Sequence, residues 1–405
     1  MISTGSVIKF SHLKIYIMSL ILNYCESVFW LLAILFSRGD SESLSNCAQY
    51  FATFLAVQAL FDAGLGFVEK YFPKYFQVLF SGLCLCIGGI SLALELNPYM
   101  SYLFLGLGLA AKSGSSQAWF REEIKKIKST DDDVFYVYLE YSRRWGQLLC
   151  AVTTYFFGTS IDQWKLFSGG AFILSVMIIF SKNEPNNSDY SSNLADNNDK
   201  STNFLGLFVI FVATLFYGID FGIRNLVTNP FVLTELNAGE YSLFALKGLT
   251  QVIAGFAGNK FYLYCLKKQT KTRQISKSIW LCVAMIIYGS FVFLSAYTYR
   301  YDYWIALQMI AIFSMGWYIP MINSAITELS SEKDLTTTLS LRTAIYSAAG
   351  AVTLYVFADD FDQESLRGWL KISGSCLYIT AVIYLFLPLS AVDTIFYNQS
   401  KKASN

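Results

Sequence analysis

Long apolar stretches alternate with short polar ones along the whole chain. A helix needs roughly 20 mostly apolar residues to cross about 30 Å of hydrocarbon. A window of that length gives twelve candidate spans, near residues 13–36, 47–69, 75–95, 99–120, 135–157, 165–181, 203–225, 240–259, 277–298, 303–327, 338–357 and 370–391. A β-barrel would need strands of about ten residues that alternate in polarity, and the apolar run 170–180 does not alternate. The pattern predicts an all-α integral membrane protein with twelve transmembrane helices.

The longest polar stretch lies near the middle of the chain, between residues 181 and 202, and is rich in Asn, Asp and Ser. Such a composition is typical of a linker. It separates six predicted spans from six. We therefore expect an N-terminal six-helix half over residues 1–182, a linker over 183–202 and a C-terminal six-helix half over 203–405.

Composition supports the membrane assignment and excludes several functions. Only 15% of the 405 residues are charged and 54% are hydrophobic, whereas about 25% of a soluble domain is charged. The formal net charge of +1 excludes a basic field for nucleic acid. His12 is the single histidine, and no G-x-x-x-x-G-K-[ST] phosphate loop is present. We therefore expect no enzyme, no cofactor, no metal site, no nucleic-acid partner and no ATP-driven transport.

Lys and Arg collect in alternating loops, which sets the orientation of a membrane protein. If the N-terminus is cytoplasmic, the inside loops carry most of the bases and the outside loops carry acids such as Asp359, Asp360 and Asp362. This predicts an integral membrane protein with both termini and the linker in the cytoplasm.

Three short motifs carry a family resemblance. The loop after the second helix of the second half reads Gly255-Phe-Ala-Gly-Asn259-Lys260, and its first-half counterpart contains Glu69, Lys70 and Lys74. Residues 113–123 read SGSSQAWFREE, with Glu122 near the end, and Asn323 precedes TTLS at 337–340. These patterns resemble the major facilitator superfamily, and the second and third resemble its bacterial efflux-like branch.

This resemblance implies two six-helix bundles, a location in the bacterial inner (plasma) membrane and secondary transport by alternating access. Short Gly-rich and charged loops would let the two halves meet at the cytoplasmic side. An ion cluster of Glu140 with two arginines at the start of helix 5 is expected at the same side. The candidate residues of this cytoplasmic gate are Glu69, Lys70, Lys74, Glu122, Arg143, Arg144, Gly255, Asn259 and Lys260.

Charged residues inside the spans are costly in hydrocarbon, so they are the best functional candidates. Glu26 lies in the middle of helix 1, where burial favours the protonated form of a carboxyl group. It is either a proton-coupling or cation-recognising acid, or a structural acid. Asp220 and Arg224 are four residues apart and fit either an intrahelical pair or a substrate contact. Three more candidates complete the set, namely Lys112 and Lys247, with Asp62 as a counter-ion for either.

Aromatic residues are dense, with 34 Phe, 27 Tyr and 8 Trp. Many belong in interfacial belts, but some fall mid-helix and would suit a bulky organic molecule, including a cation. The candidates for the cavity lining are Asn23, Tyr24, Trp30, Tyr217, Trp317, Tyr318 and Asn323.

The sequence thus favours a monomeric secondary transporter, an antiporter that exports a small organic molecule in exchange for protons or another coupling ion. Uptake of a nutrient or metabolite by the same fold is the alternative. A non-transporting lipid scramblase or receptor is a further alternative. A membrane-embedded enzyme would need clustered catalytic polar groups in a loop, and the sequence has no His-Asp constellation of that kind.

Overall fold

The computed structural model describes residues 10–38, 43–68, 74–112, 132–158, 161–181, 202–239, 241–269, 277–331 and 334–387. Within these ranges the chain forms helices and short connections, with no strand. The predicted linker over 183–202 falls almost entirely outside them. All further structural statements concern the described residues.

Twelve long helices account for the described chain. They are α1 (Phe10–Arg38), α2 (Leu44–Val68), α3 (Lys74–Ala93), α4 (Pro98–Lys112), α5 (Asp132–Phe157), α6 (Ile161–Ser181), α7 (Phe204–Pro230), α8 (Tyr241–Ala245, then a π-helical stretch Leu246–Ala254, then Gly255–Gln269), α9 (Lys277–Ser295), α10 (Tyr301–Leu329), α11 (Leu335–Val356) and α12 (Leu366–Tyr384). A π-helical turn, Phe231–Glu235, extends α7, and a short helix, Asp360–Gln363, precedes α12. The twelve predicted helices are confirmed, although α8 continues ten residues beyond its predicted end and α12 ends at Tyr384. Residues 113–120 of the predicted fourth span and 388–391 of the predicted twelfth lie outside the described residues.

Taken singly, four segments of the described chain are long and apolar enough to cross a membrane. They are Phe76–Ala93, Phe204–Glu235, Lys277–Ser295 and Tyr301–Leu329. Helix α5 is less apolar because it carries Glu140, Arg143 and Arg144 within its length. These charges are tolerated only where they face a cavity or a partner.

The two halves pack in the same way, helix by helix. In the first half, α1 packs on α5 and α6, α3 on α4 and α6, and α2 on α4. In the second half, α7 packs on α11 and α12, α9 on α10 and α12, and α8 on α10. Adding six to each helix number converts one set into the other. The chain therefore contains a structural repeat, which is common in secondary transporters.

Two reciprocal contacts join the halves. Helix α2 packs on α11, and α5 packs on α8. The ends of the bundle can be told apart by contacts between connections. At one end, which we call the linker end, Asn203 before α7 donates to the carbonyl of Leu329 at 2.8 Å. At the other, which we call the far end, Tyr301 at the start of α10 donates to the carbonyl of Ser242 near the start of α8, at 2.6 Å.

Glycine permits a close helix crossing between α8 and α10. A Cβ atom at Gly258 would lie 2.1 Å from the carbonyl oxygen of Phe313 and 3.0 Å from the Cα of Gly316. Backbone atoms cannot move aside as a flexible side chain can. Small residues that let backbones approach closely are typical of interfaces between membrane helices.

We expect Gly258→Ala to destabilise the protein by about 3 kcal/mol, the upper end of the usual cost of overpacking. The measurement is the midpoint of thermal unfolding of the detergent-purified protein. The matched control is Gly169→Ala on α6, where no atom lies within 4 Å of the added Cβ. Equal midpoints for the two variants would contradict the close crossing.

Candidate functional site

A cavity of about 240 Å³ lies between the two halves. Water occupies about 30 Å³ per molecule in the liquid, so the space suits a small organic molecule. Both halves contribute to its wall. The principal polar and aromatic lining residues are Ser19, Asn23, Glu26, Ser27, Trp30, Gln58, Lys112, Tyr136, Glu140, Arg143, Arg144, Gln147, Tyr217, Phe221, Arg224, Asn225, Gln251, Tyr288, Asn323, Arg342, Thr343 and Tyr346.

On the first half, an ion pair joins α1 to α4. The Lys112 ammonium contacts the Glu26 carboxylate directly and donates to Asn23 Oδ1 at 3.1 Å. Asn23 in turn donates to Ser142 on α5 at 3.2 Å. Glu26 is therefore not a lone acid, and Lys112 pairs with it rather than with Asp62. Asp62 is fully buried on α2, outside the cavity lining.

A second cluster lies on α5. Glu140 accepts from Arg143 at 3.5 Å and lies 3.4 Å from Arg144. Arg144 also donates to Gln147 at 2.9 Å, and Gln147 donates across to Gln251 on α8 at 2.9 Å. The predicted place of these arginines in a gate at the helix end is corrected, because α5 begins at Asp132 and carries them more than two turns inward, into the cavity wall.

On the second half, Asp220 and Arg224 form the predicted pair within α7. Arg224 donates to Asp220 at 3.4 Å, and Ser373 on α12 donates to the other carboxylate oxygen at 2.5 Å. Asp220 is fully buried behind the cavity wall, whereas Arg224 faces the cavity and stacks over Tyr288 at 5.4 Å. On α7, the Arg224 side chain therefore faces the cavity and the Asp220 carboxylate does not.

Arg342 on α11 is a further base in the wall. It donates to Asn323 Oδ1 on α10 at 2.9 Å. Asn323 was predicted to line the cavity, but Arg342 was missed. The sequence does contain a signal for Arg342, because it is a charged residue inside a predicted span, and such residues are functional candidates.

Basic groups outnumber acidic ones in the wall. Lys112, Arg143, Arg144, Arg224 and Arg342 line the cavity, against the carboxylates of Glu26 and Glu140. A cationic molecule held by aromatic rings stays a prediction from the sequence, and this excess of basic groups weighs against it. Ring faces attract cations, but full positive charges in the same wall repel them more strongly in a low-dielectric site.

Aromatic rings cover the cavity towards the far end. The Trp30 ring lies 4.8 Å from that of Phe221, which lies 5.0 Å from that of Tyr346. The rings of Phe51 and Phe54 pack edge-on against the Trp30 ring, with centroid distances of 5.4 and 5.5 Å. We call Trp30, Phe221 and Tyr346 the aromatic roof. It joins α1 of one half to α7 and α11 of the other.

Beyond the roof, hydrogen bonds hold the halves together. Asn229 on α7 donates to the carbonyl of Leu31 on α1 at 2.9 Å. Asp362 accepts from the backbone of Leu44 and Ser45 at 2.9 and 3.3 Å, so it caps the start of α2 from the other half. We call the contact of Asp362 with Leu44 and Ser45 the far-end clasp. At the linker end, Tyr136 and Thr327 share a hydrogen bond of 2.9 Å between α5 and α10.

The predicted site residues separate into three groups. Those that line the cavity are Asn23, Glu26, Trp30, Lys112, Arg143, Arg144, Tyr217, Arg224 and Asn323. Those that do not line it are Tyr24, Asp62, Asp220, Trp317 and Tyr318, which are buried among neighbouring helices, with Gly255, Asn259 and Lys260 on α8. Outside the described residues or side chains lie Glu69, Lys70, Lys74, Glu122 and Lys247.

The residues that miss the cavity do so because of the helix face they occupy. Tyr24 turns towards α6, where its ring edge lies near Gly170. Trp317 packs on Phe261 at 4.9 Å, and the Tyr318 hydroxyl bonds that of Tyr384 at 2.6 Å. Gly255 gives room for the Arg144 side chain, since a Cβ there would lie 2.4 Å from Arg144 Nε.

Comparison with family models and with curated proteins gives no match. Solved structures match along almost the whole chain. A peptide transporter POT in complex with sulfate is 13% identical, with a TM-score of 0.67 over 94% of each chain. A POT family transporter in complex with a thioalcohol-conjugated peptide is 11% identical, with a TM-score of 0.68 over 93% of this chain and 96% of that one.

A mutant of the nucleoside transporter NupG is 12% identical, with a TM-score of 0.64 over 93% of this chain and 99% of that one. At such identities the likeness concerns the fold. The chain has the major facilitator fold of an integral membrane protein, with two six-helix bundles around one cavity.

Proposed function

We propose that this protein is a secondary transporter that moves a small organic molecule across the membrane by alternating access. The observation that carries the proposal is the cavity, whose charged and aromatic wall is shared by both halves. Buried charges inside a membrane bundle mark substrate and ion pathways. Transporter sites typically lie near the bilayer midplane, at the interface between repeats.

The contacts between halves support a rocking motion around this cavity. The aromatic roof and the far-end clasp close one side. Opening that side would break these contacts, and closing the linker end would add to the hydrogen bond between Tyr136 and Thr327. Each state buries different pairs, so a bound molecule can shift the balance between them.

Proton coupling is part of the proposal, and Glu26 is its carrier. Its carboxylate faces the cavity in contact with Lys112. A proton on Glu26 would neutralise the carboxylate that pairs with Lys112 and would change the charge of the cavity wall. Export, as an antiporter, is the direction we propose, supported by the efflux-like motifs at 113–123 and 337–340.

We place the linker end on the cytoplasmic side of a bacterial plasma membrane, because the loops on that side hold most of the Lys and Arg. A single chain is the proposed working unit, since one chain supplies the whole cavity wall.

The test uses proteoliposomes with a trapped pH-sensitive dye and compounds selected by thermal shift. A substrate should drive proton movement in the opposite direction, and a protonophore should abolish its accumulation. Co-movement of substrate and protons in the same direction would replace export by uptake. Lipid movement without any gradient and without substrate flux would refute the transporter and favour a scramblase.

A further inference from the structure

We infer that the cavity binds an organic anion, whose acidic group is held by Arg342 and whose apolar part lies against the aromatic roof. This inference rests on the proposed transport function and specifies its substrate class. It deepens that proposal, because nothing in a transporter fold alone decides the charge of what is carried.

Arg342 is the strongest evidence. Among the described residues no carboxylate lies within salt-bridge distance of its guanidinium, which donates a hydrogen bond to Asn323 and lies close to the Tyr318 hydroxyl. Its Nε is buried and has no hydrogen-bond partner. A guanidinium in a membrane cavity with an unused donor is costly. A carboxylate, sulfonate or phosphate group in the cavity would supply the missing acceptors in a bidentate geometry.

Each of the other basic residues in the cavity wall is paired with a carboxylate. Lys112 is paired with Glu26, and Arg224 with Asp220. Arg143 and Arg144 share Glu140. Arg342 therefore holds a charge that its own surroundings do not neutralise, whereas Arg143 lies within electrostatic range of Glu26 as well as Glu140.

Aromatic side chains lie beside these bases. Tyr217 faces the cavity within electrostatic range of Arg143, Arg224 and Arg342. Phe221 and Tyr346 continue the wall to the roof. An anion with an aromatic or aliphatic body would use both kinds of wall, whereas an inorganic anion would leave the rings in contact with water.

The experiment measures thermal stability of the detergent-purified protein against four probes. Sodium sulfate tests the anion site, and benzoate, benzamide and benzylamine test an anion, a neutral amide and a cation of similar size. Wild type should show a saturating rise in unfolding temperature with sulfate and with benzoate, the latter at lower concentration. Benzamide and benzylamine should give no saturating rise.

Variants locate the site. Arg342→Gln should weaken the apparent affinity for benzoate about tenfold, and Arg342→Lys by less, because lysine keeps the charge but loses the planar fork. Arg300→Gln is the matched control, because Arg300 is exposed and pairs with Asp302 at 2.6 Å outside the cavity. The non-specific stabilisation by sulfate does not saturate and is common to all variants.

Three results would overturn the inference: no saturating rise in wild type with either anion, equal saturation in Arg342→Gln, or saturation by benzylamine instead. If Arg342→Gln does not fold, two other results decide whether the anion site exists. They are the response of the wild type to the anionic, neutral and cationic probes, and the affinity of Arg342→Lys for benzoate. Binding without flux in proteoliposomes would leave the anion site standing and remove the transport function. Flux of neutral or cationic compounds without anion binding would leave the transport function standing and remove the anion site.

Discussion

Proteoliposomes that carry Glu26→Gln should lose most of the response of substrate flux to an imposed pH gradient. Glutamine keeps the shape of a protonated glutamic acid but can neither gain nor release a proton. The ion pair with Lys112 would be permanently broken. Coupling between two ligands of one protein is typically worth five-fold or more, so we expect the gradient response to fall by about tenfold.

Substrate exchange without a gradient should persist in the same variant, because exchange requires binding and rocking but no net proton movement. That readout separates lost coupling from lost folding. Glu95→Gln is the control, since Glu95 is an exposed acid in the turn after α3. A Glu26→Gln protein with the full gradient response would remove Glu26 from the coupling mechanism.

Asp220→Asn should cause a large loss of stability. Asp220 is fully buried, and its removal leaves the Arg224 guanidinium without its acid. Breaking one partner of a buried ion pair costs about 3 kcal/mol or more, because the remaining charge is uncompensated. Arg224 is one-fifth exposed and faces the cavity, so some water can reach it, and we expect the lower end of that range. The midpoint of thermal unfolding measures this loss of stability.

The surface pair of Arg300 with Asp302 supplies the matched control. Both side chains are more than half exposed, and exposed pairs contribute about 1 kcal/mol or less. Asp302→Asn should therefore barely change the midpoint. The double variant Asp220→Asn with Arg224→Gln should recover part of the loss. A double variant less stable than Asp220→Asn alone would mean that Arg224 stabilises the fold independently of Asp220.

The sequence predicts the helices well because a membrane span is a local signal. Twenty apolar residues between polar loops are visible without any knowledge of the neighbours. Charges within spans are equally visible, which is why the sequence points to Glu26, Lys112 and Arg224. Arg342 obeys the same rule, but α11 also carries many Thr and Ser residues, so its charge contrasts less with its surroundings.

Which charged residues pair, and which face of each helix lines the cavity, depend on contacts between residues far apart in the chain. The sequence alone does not determine them. Glu26 and Lys112 are 86 residues apart, and only the packing of α1 near α4 brings them together. Asn23 and Tyr24 are adjacent, yet one lines the cavity and the other is buried towards α6. A rotation of about 100° per residue around a helix separates two such neighbours, and the sequence does not say which face meets the cavity.

The far-end clasp has a consequence for the populations of the two states. Its bonds run from backbone amides to an exposed carboxylate, so water replaces them when the halves separate. Each such exchange costs on the order of 1 kcal/mol. Two bonds of that strength bias an equilibrium by about 10- to 100-fold. Taken alone, the clasp would leave the open state populated at about one to ten per cent, and a substrate with a modest preference for that state would offset this contribution.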